Sequence, residues 1–398
     1  MDVEEQARPV RGFRFAGVSA GLKAVFGKED LGLIVAEQAV AAAGMFTTNQ
    51  VKAAPVMLAE ERLRAGRLRA VVANSGSANC FTGKPGMKLA LDSCAAVAKE
   101  ISCPPQLVAP CSTGVIGHLY DLKKYRAGVR TAAAALSPDA LGSFARAIMT
   151  TDTVPKLAST TLRFAGADVM LAGVAKGAGM IAPRMATMLA FIVTDADLTP
   201  AFIRRALLGA LPESFNAVTI DGDMSTNDSL LMMASGAARH RRPSARELAG
   251  FAHAVAAIAG SLARQLVYDG EGATRLATIE VRGARSSTDA ARIARQIANS
   301  PLVKTAFFGC DPNVGRIVAA AGAAGVKLEP ERLDLAIGGV KVAGRGMILT
   351  QALAAAADAM RQREFTVRLD LKLGKAGANV ATSDLSLDYV RINAEYMT

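Results

Sequence analysis

The 398-residue sequence has no tryptophan, only three histidines and 5% aromatic residues. His118, His240 and His253 show no metal-ligand spacing, which argues against a zinc site and a histidine-based triad. With few aromatics to stack on bases and no zinc-finger or RNP-type pattern, the net charge of +11 is not read as a nucleic-acid surface. The densest basic run, Arg239-His240-Arg241-Arg242, reads as a solvated helix end, and a basic surface equally helps collect anionic metabolites. The five cysteines are odd in number and contain no C-x-x-C, as in a reduced, cytoplasmic-type chain with buried thiols. No window offers about 18 uninterrupted apolar residues, which argues against a membrane span. The longest candidate, 180–193, is broken by Pro183 and Arg184. The acidic opening, Met1-Asp2-Val3-Glu4-Glu5-Gln6, has no apolar stretch of the kind a secretory signal needs. Lys176-Gly177-Ala178-Gly179 is glycine-rich, but neither a P-loop nor a dinucleotide fingerprint surrounds it.

What is present is an Ala- and Gly-rich chain, 51% apolar and 20% charged, long enough for a large core and two or three subdomains. Short strands are expected at 31–35 and 43–47, with Thr48-Asn49 as a turn. A buried strand at 68–73 leads into a small polar loop, 74–79, suited to backbone contacts with a ligand. Helical spacing over 88–101 places Leu91, Cys94, Ala95 and Ala98 on one face and stops before Pro104-Pro105. Residues 110–117 read as a strand-to-helix turn with Ser112 and Thr113 as caps.

A helix over 139–149 delivers the polar turn Thr150-Thr151-Asp152-Thr153. Strands follow at 160–164, 169–174 and 188–194, then a helix over 200–211 with Pro200 in its first turn. An apolar strand at 215–220 continues into Asp221-Gly222-Asp223-Met224-Ser225-Thr226-Asn227-Asp228, which lacks the offsets of a calcium loop. A long amphipathic helix over 246–268 ends at Asp269-Gly270-Glu271-Gly272. Beyond 276, strands at 277–281, 333–337, 365–373 and 379–384 alternate with helices at 289–299 and 314–324. They form a smaller α/β unit with a soft boundary near 280.

The stretch Lys-Gly-Ala-Gly-Met-Ile-Ala-Pro-Arg-Met-Ala-Thr-Met-Leu, 176–189, ends on a Thr that by itself would be an ordinary strand residue. Its company changes the reading. Lys-Gly-x-Gly-Met-Ile-x-Pro-x-Met-Ala-Thr-Met-Leu resembles the self-cleavage site of the ornithine acetyltransferases, the bifunctional glutamate N-acetyltransferases of arginine biosynthesis. Ser112-Thr113-Gly114-Val115-Ile116-Gly117 resembles that family's oxyanion-hole motif, and residues 221–228 resemble its Asp-Gly-Asp-x-Ser-Thr-Asn-Asp segment. The resemblance runs from Gly12-Phe13-Arg14 through Phe46-Thr47-Thr48-Asn49 and Asp311-Pro312-Asn313 to Ile392-Asn393-Ala394-Glu395-Tyr396. Departures are few: Met224 where Thr is usual, Val314 where Trp is usual, and Ala182 and Arg184 in the variable cleavage loop.

The resemblance implies an α+β fold, an αββα-type sandwich of the self-processing N-terminal-nucleophile kind with a smaller C-terminal α/β subdomain. It implies breakage between Ala186 and Thr187, giving an alpha chain 1–186 and a beta chain made of 187–280 and the subdomain 281–398. A chain with almost no histidine can still activate Thr187 this way, because a free α-amine near pKa 7.7–8 sits beside the hydroxyl. The acetyl group would pass from N-acetylornithine to Thr187 and then to glutamate, with Thr113 and the Gly114 N–H holding the oxyanion. Thr150, Lys176, Thr187, Glu271, Asn393 and Thr398 are the implied substrate-binding residues. Lys176 suits a carboxylate and Glu271 an ammonium group. No cofactor, metal, nucleic acid or membrane is implied, and acetyl-CoA enters only as an alternative donor substrate. The expected assembly is an α2β2 heterotetramer in the cytoplasm. The rival readings are an aminopeptidase or amidohydrolase with the same kind of nucleophile and, from a different class, a basic nucleic-acid-binding protein.

Overall fold

The computed structural model describes residues 2–23, 25, 27–182 and 188–395. Its first part contains β1 (Phe13–Val18), β2 (Leu31–Phe46), α1 (Ala54–Leu63), β3 (Arg67–Ser77), α2 (Gly83–Glu100), β4 (Val108–Val115), α3 (Leu122–Ala134) and α4 (Leu141–Ala147). There follow β5 (Lys156–Phe164), β6 (Ala167–Lys176), β7 (Leu189–Thr194), α5 (Pro200–Ala210), β8 (Val218–Thr219), β9 (Ser229–Ala234) and α6 (Ala245–Tyr268).

Seven of these strands join in the order β4-β3-β2-β9-β7-β6-β5, with β1 added on β2. The 16-residue β2 serves two half-sheets. Its residues 31–36 pair with β1, 31–35 and 40–41 with β3, and 41–46 with β9. Side chains alternate across each strand, so each half-sheet has two faces to bury. Phe15, Ile34 and Val71 from one half meet Val174, Phe191 and Leu231 from the other in a single core. The alternate residues face outward, Leu31, Leu33 and Val72 beneath α2 and α3, and Ala190, Ile192 and Met232 beneath α5 and α6. The layers therefore run helix, sheet, sheet, helix: an αββα sandwich. Strands buried on both faces explain why β7 and β9 are apolar at nearly every position. Phe144 of α4 closes one flank, edge-on to Phe191 at 5.2 Å between centroids.

α6 illustrates how the outer layer is specified. Ser244 and Glu247 form a capping box at its start. Phe251, Val255, Ile258, Leu262 and Leu266 recur at helical spacing on the buried face. Each such side chain contributes about 1.5–3 kcal/mol on burial.

The remaining chain forms β10 (Leu276–Ala284), α7 (Ser287–Ala298), α8 (Pro301–Phe308), α9 (Val314–Gly322), β11 (Asp334–Ile337), β12 (Val340–Gly344) and β13 (Met347–Ile348). It closes with α10 (Leu353–Met360), β14 (Glu364–Asp370), β15 (Ala376–Ser383) and α11 (Leu387–Glu395). The second sheet runs β13-β12-β11-β14-β10-β15-β8. Helices α7 and α9 bury one face of it. On the other face Glu280 lies between Arg282 and Arg368. The edge strand β8 comes from the first part of the chain and pairs parallel with β15, Val218 opposite Ala381. This ties the second unit to the residues that lead directly into 221–228. Among the described residues no helix is long and apolar enough to cross a membrane.

Four local expectations are corrected. The two short strands at 31–35 and 43–47 are one strand, because the pattern break near Glu37 marks a register shift in the pairing with β3 rather than an end. The expected loop at 74–79 is strand as far as Ser77, and the expected turn at 110–117 is strand as far as Val115. There β3 and β4 pair in parallel, Asn74 opposite Ser112, so their polar side chains lie buried between strands. The expected strand at 215–220 is a 3-10 turn, Phe215–Ala217, followed by the two residues of β8.

Candidate active site

One end of the sandwich collects the ends of strands from both half-sheets. Register sets Lys176 at the end of β6 opposite Leu189, and Leu189 opposite Ser229. Phe46 at the end of β2 pairs with the same Ser229. From the other half, Thr113 and Gly114 close β4 beside Gly76 and Ser77 of β3. Asn227 bridges the two halves, its Nδ2 donating to the Ala78 carbonyl at 2.7 Å and the Ser112 carbonyl at 2.8 Å.

Between them lies a cavity of about 210 Å³. Six residues expected from the sequence line it: Thr113, Gly114, Thr150, Lys176, Glu271 and Asn393. Ala186, Thr187 and Thr398 lie outside the described residues. Thr151, Asp221, Asp223, Asn227 and Tyr389 also line the cavity without having been singled out. The 221–228 motif pointed to three of these, and the polar turn 150–153 to Thr151. Tyr389 carried no signal, because nothing in a terminal helical stretch tells which turn of it folds back.

Gly114 is required by the backbone. Its φ is +119°, and a Cβ there would come within 2.5 Å of the Gly76 carbonyl carbon. The close approach of these two glycines brings the Gly114 backbone and the Thr113 side chain to the cavity wall together. Cys111, two residues earlier, is buried and its thiol is pushed up to about 12, so no thiolate nucleophile forms beside them. All five cysteines are free. No histidine or cysteine is among the residues that line the cavity.

Lys176 is 3% exposed and donates to Thr150 Oγ1 at 3.2 Å. Burial lowers its pKa and Lys156 adds to that, while Asp152, Asp228 and Glu271 oppose it. Asp152 organises this end. Its carboxylate accepts the Thr150 N–H at 2.9 Å and the Gly177 N–H at 2.6 Å, and Lys156 donates to it. Burial opposes its ionisation, but Lys156 and Lys176 prevail and hold the carboxyl at about 2. Lys156 also pairs with Asp269, the residue that ends α6, so a buried ion cluster stands beside Lys176.

The wall also carries carboxylates. Glu271 follows α6 by three residues and its N–H donates to the Ala178 carbonyl at 2.8 Å. Its Oε2 accepts Asn393 Nδ2 of α11 at 2.8 Å. The Asp221 carboxylate accepts the N–H groups of Met180, of Ile181 at 2.9 Å and of Asp223 at 3.1 Å. The Tyr389 hydroxyl stands 3.4 Å from it. Burial pushes the Asp221 carboxyl up to about 6 despite those donors. Met180 adopts a left-handed conformation, φ +56°, held by these contacts. The cavity wall therefore carries a lysine, carboxylates, and a threonine next to a glycine. Such a wall can pair with both a carboxylate and an ammonium group.

The ArgJ family model matches residues 14–398. The chain is 48% identical over 392 residues to the arginine biosynthesis bifunctional protein ArgJ of Geobacter sulfurreducens, covering 98% of this chain and 100% of that one. It is 45% identical over 390 residues to the protein of the same name from Symbiobacterium thermophilum, with 97% of each chain covered. A crystal structure of arginine biosynthesis bifunctional protein ArgJ from Bacillus halodurans is similar at 37% identity and a TM-score of 0.50, over 52% of this chain and 98% of that one.

Proposed function

The chain belongs to the ArgJ family, and on that premise we propose that it moves an acetyl group from N-acetylornithine to glutamate in arginine biosynthesis. The carrier is Thr187, freed as an N-terminal residue by self-cleavage after Ala186. The resulting chains are 1–186 and 187–398, the second made of 187–280 and the subdomain 281–398. They assemble as an α2β2 heterotetramer in the cytoplasm. No cofactor is used, and acetyl-CoA serves as an alternative donor substrate.

In the first half-reaction the Thr187 hydroxyl attacks the acetyl carbonyl and its proton passes to the Thr187 α-amine. The tetrahedral oxyanion is held by the Thr113 hydroxyl and the Gly114 N–H. Collapse breaks the C–N bond, and the leaving ornithine nitrogen takes the proton from the α-ammonium. In the second, the glutamate amine attacks the acetyl ester, and the displaced Thr187 oxygen regains its proton through the same amine. Lys176 receives a substrate carboxylate, with Thr150 beside it. Glu271, held by Asn393, receives an ammonium group, and Thr398 is a further substrate-binding residue.

The observation that carries this reading is the make-up of the cavity wall, where Lys176, Glu271, Thr113 and Gly114 meet. Incubation with N-acetylornithine and glutamate tests it: N-acetylglutamate and ornithine are expected in equal amounts. Free acetate without N-acetylglutamate would mark a hydrolase instead.

A further inference from the structure

The parallel register of β7 and β9, Leu189 opposite Ser229, sets Met188 beside Asp228 one step earlier. Asp228 Oδ1 accepts the Met188 N–H at 3.1 Å, and the Met188 carbonyl accepts the Ser229 N–H at 3.0 Å. Asp228 is 0% exposed, yet its Oδ2 has no hydrogen-bond partner among the described residues. A buried carboxylate oxygen left without a partner is costly and rare. The sheet does not require it, since an Asn would offer Met188 the same acceptor.

The groups that face this carboxylate are few. Lys176 at the end of β6 favours its ionised form, as do the hydroxyls of Thr47 and Ser225. Neither hydroxyl meets hydrogen-bond geometry at Oδ2. The Thr47 proton is committed to the Ser225 carbonyl at 2.8 Å, and Ser225 Oγ accepts the Asn227 N–H at 3.0 Å. Burial outweighs all of them and pushes the carboxyl well above its ordinary range. Among the described residues no cation is hydrogen-bonded to Oδ2, so the group stands ready for one.

We propose that Asp228 is a positioning residue whose free carboxylate oxygen receives the α-ammonium group created at residue 187 when the chain breaks. The proposal rests on the self-cleavage reading above. Two backbone atoms separate the α-nitrogen of residue 187 from the Met188 nitrogen, so a group bound to one is within reach of the other. When the Thr187 hydroxyl gives up its proton, the α-amine becomes ammonium, and the carboxylate stabilises that charge while fixing the amine's orientation. Asp228 thereby acts through the amine, as the third group that orients a base beside a nucleophile.

The test is the titration of that amine, read by trace labelling with acetic anhydride across pH and mass spectrometry of the fragment that begins at Thr187. Asp228→Asn keeps the acceptor for Met188, so both proteins are expected to be cut. The titration midpoint is expected to fall by about one pH unit in the variant. The acidic limb of kcat/KM is expected to move the same way. Should Asp228→Asn fail to fold, Asp228→Glu keeps the charge and is expected to keep the wild-type midpoint. Equal midpoints in wild type and Asp228→Asn would overturn the proposal. An Asp228→Asn chain that folds but stays whole would also overturn it, by showing that the carboxylate acts before the amine exists. A shifted midpoint in a protein that transfers no acetyl group would leave this role standing and remove the proposed reaction. A wild-type chain that is never cut would remove both.

Discussion

Gly179 and the Glu271 carboxylate occupy adjoining space so closely that a Cβ on residue 179 would stand 2.4 Å from Glu271 Oε2. The second glycine of Lys176-Gly177-Ala178-Gly179 is thus needed for room, and the Glu271 N–H anchors the same turn through Ala178. Gly179→Ala is expected to displace the carboxylate from Asn393 and raise KM for the ornithine-bearing substrate about tenfold. A hydrogen bond to a charged group worth about 1.5–3 kcal/mol sets that scale. Thermal unfolding checks that the fold persists, with little change in midpoint expected.

Removing the Lys176 charge tests its proposed pairing with the substrate carboxylate. Lys176→Met fills much of the same volume without the ammonium group. KM is expected to rise about ten- to a hundredfold. Steady-state kinetics on both half-reactions check this, and an effect on kcat alone would place Lys176 elsewhere in the mechanism.

Thr113→Val preserves the shape of the β4 end and deletes the hydroxyl proposed to donate to the oxyanion. Loss of one such donor typically costs about 10²–10³ in kcat. A fall of that size with KM nearly constant is expected in the transfer assay.

The buried cluster of Asp152, Lys156 and Asp269 sets how the fold responds to acid. Asp152 has its pKa depressed from the ordinary 3.8 to about 2. Its contribution to stability is therefore complete above about pH 4 and is lost as pH falls from there toward 2. Asp221, raised to about 6, works in the opposite direction between pH 6 and 4 and does not start the loss early. Denaturant unfolding measured from pH 6 to pH 2 is expected to show a steep decline below pH 4 that Asp152→Asn removes. Lys156→Met leaves two buried carboxylates without their shared cation and is expected to destabilise the fold by about 3–5 kcal/mol at pH 7.

Much of the site was legible because its residues cluster in short motifs whose chemistry is unusual for a turn. Thr113-Gly114, Lys176 and Glu271 each stand beside glycines, and the resemblance converted otherwise plain residues into expectations. The helices over 246–268 and 289–299 were legible from spacing alone and fall at Ala245–Tyr268 and Ser287–Ala298. The continuous β2 was not, since its alternation breaks at the register shift between Val35 and Val40 in its pairing with β3. Asn74 and Ser112 misled for a related reason: polar residues read as loop, yet here Ser112 Oγ bonds Asn74 Oδ1 at 2.6 Å inside a parallel strand pair. The roles of Asp221 and Tyr389 depend on contacts between segments 168 positions apart, which no local pattern carries.

The most direct test of the account gives the protein N-acetylornithine labelled in its acetyl group, without glutamate, and examines it by denaturing mass spectrometry. The account predicts two chains, 1–186 and 187–398, with one labelled acetyl group on Thr187 of the second, discharged when glutamate is added. An uncut chain that forms N-acetylglutamate, or a cut one that does so without ever carrying label on Thr187, would contradict it.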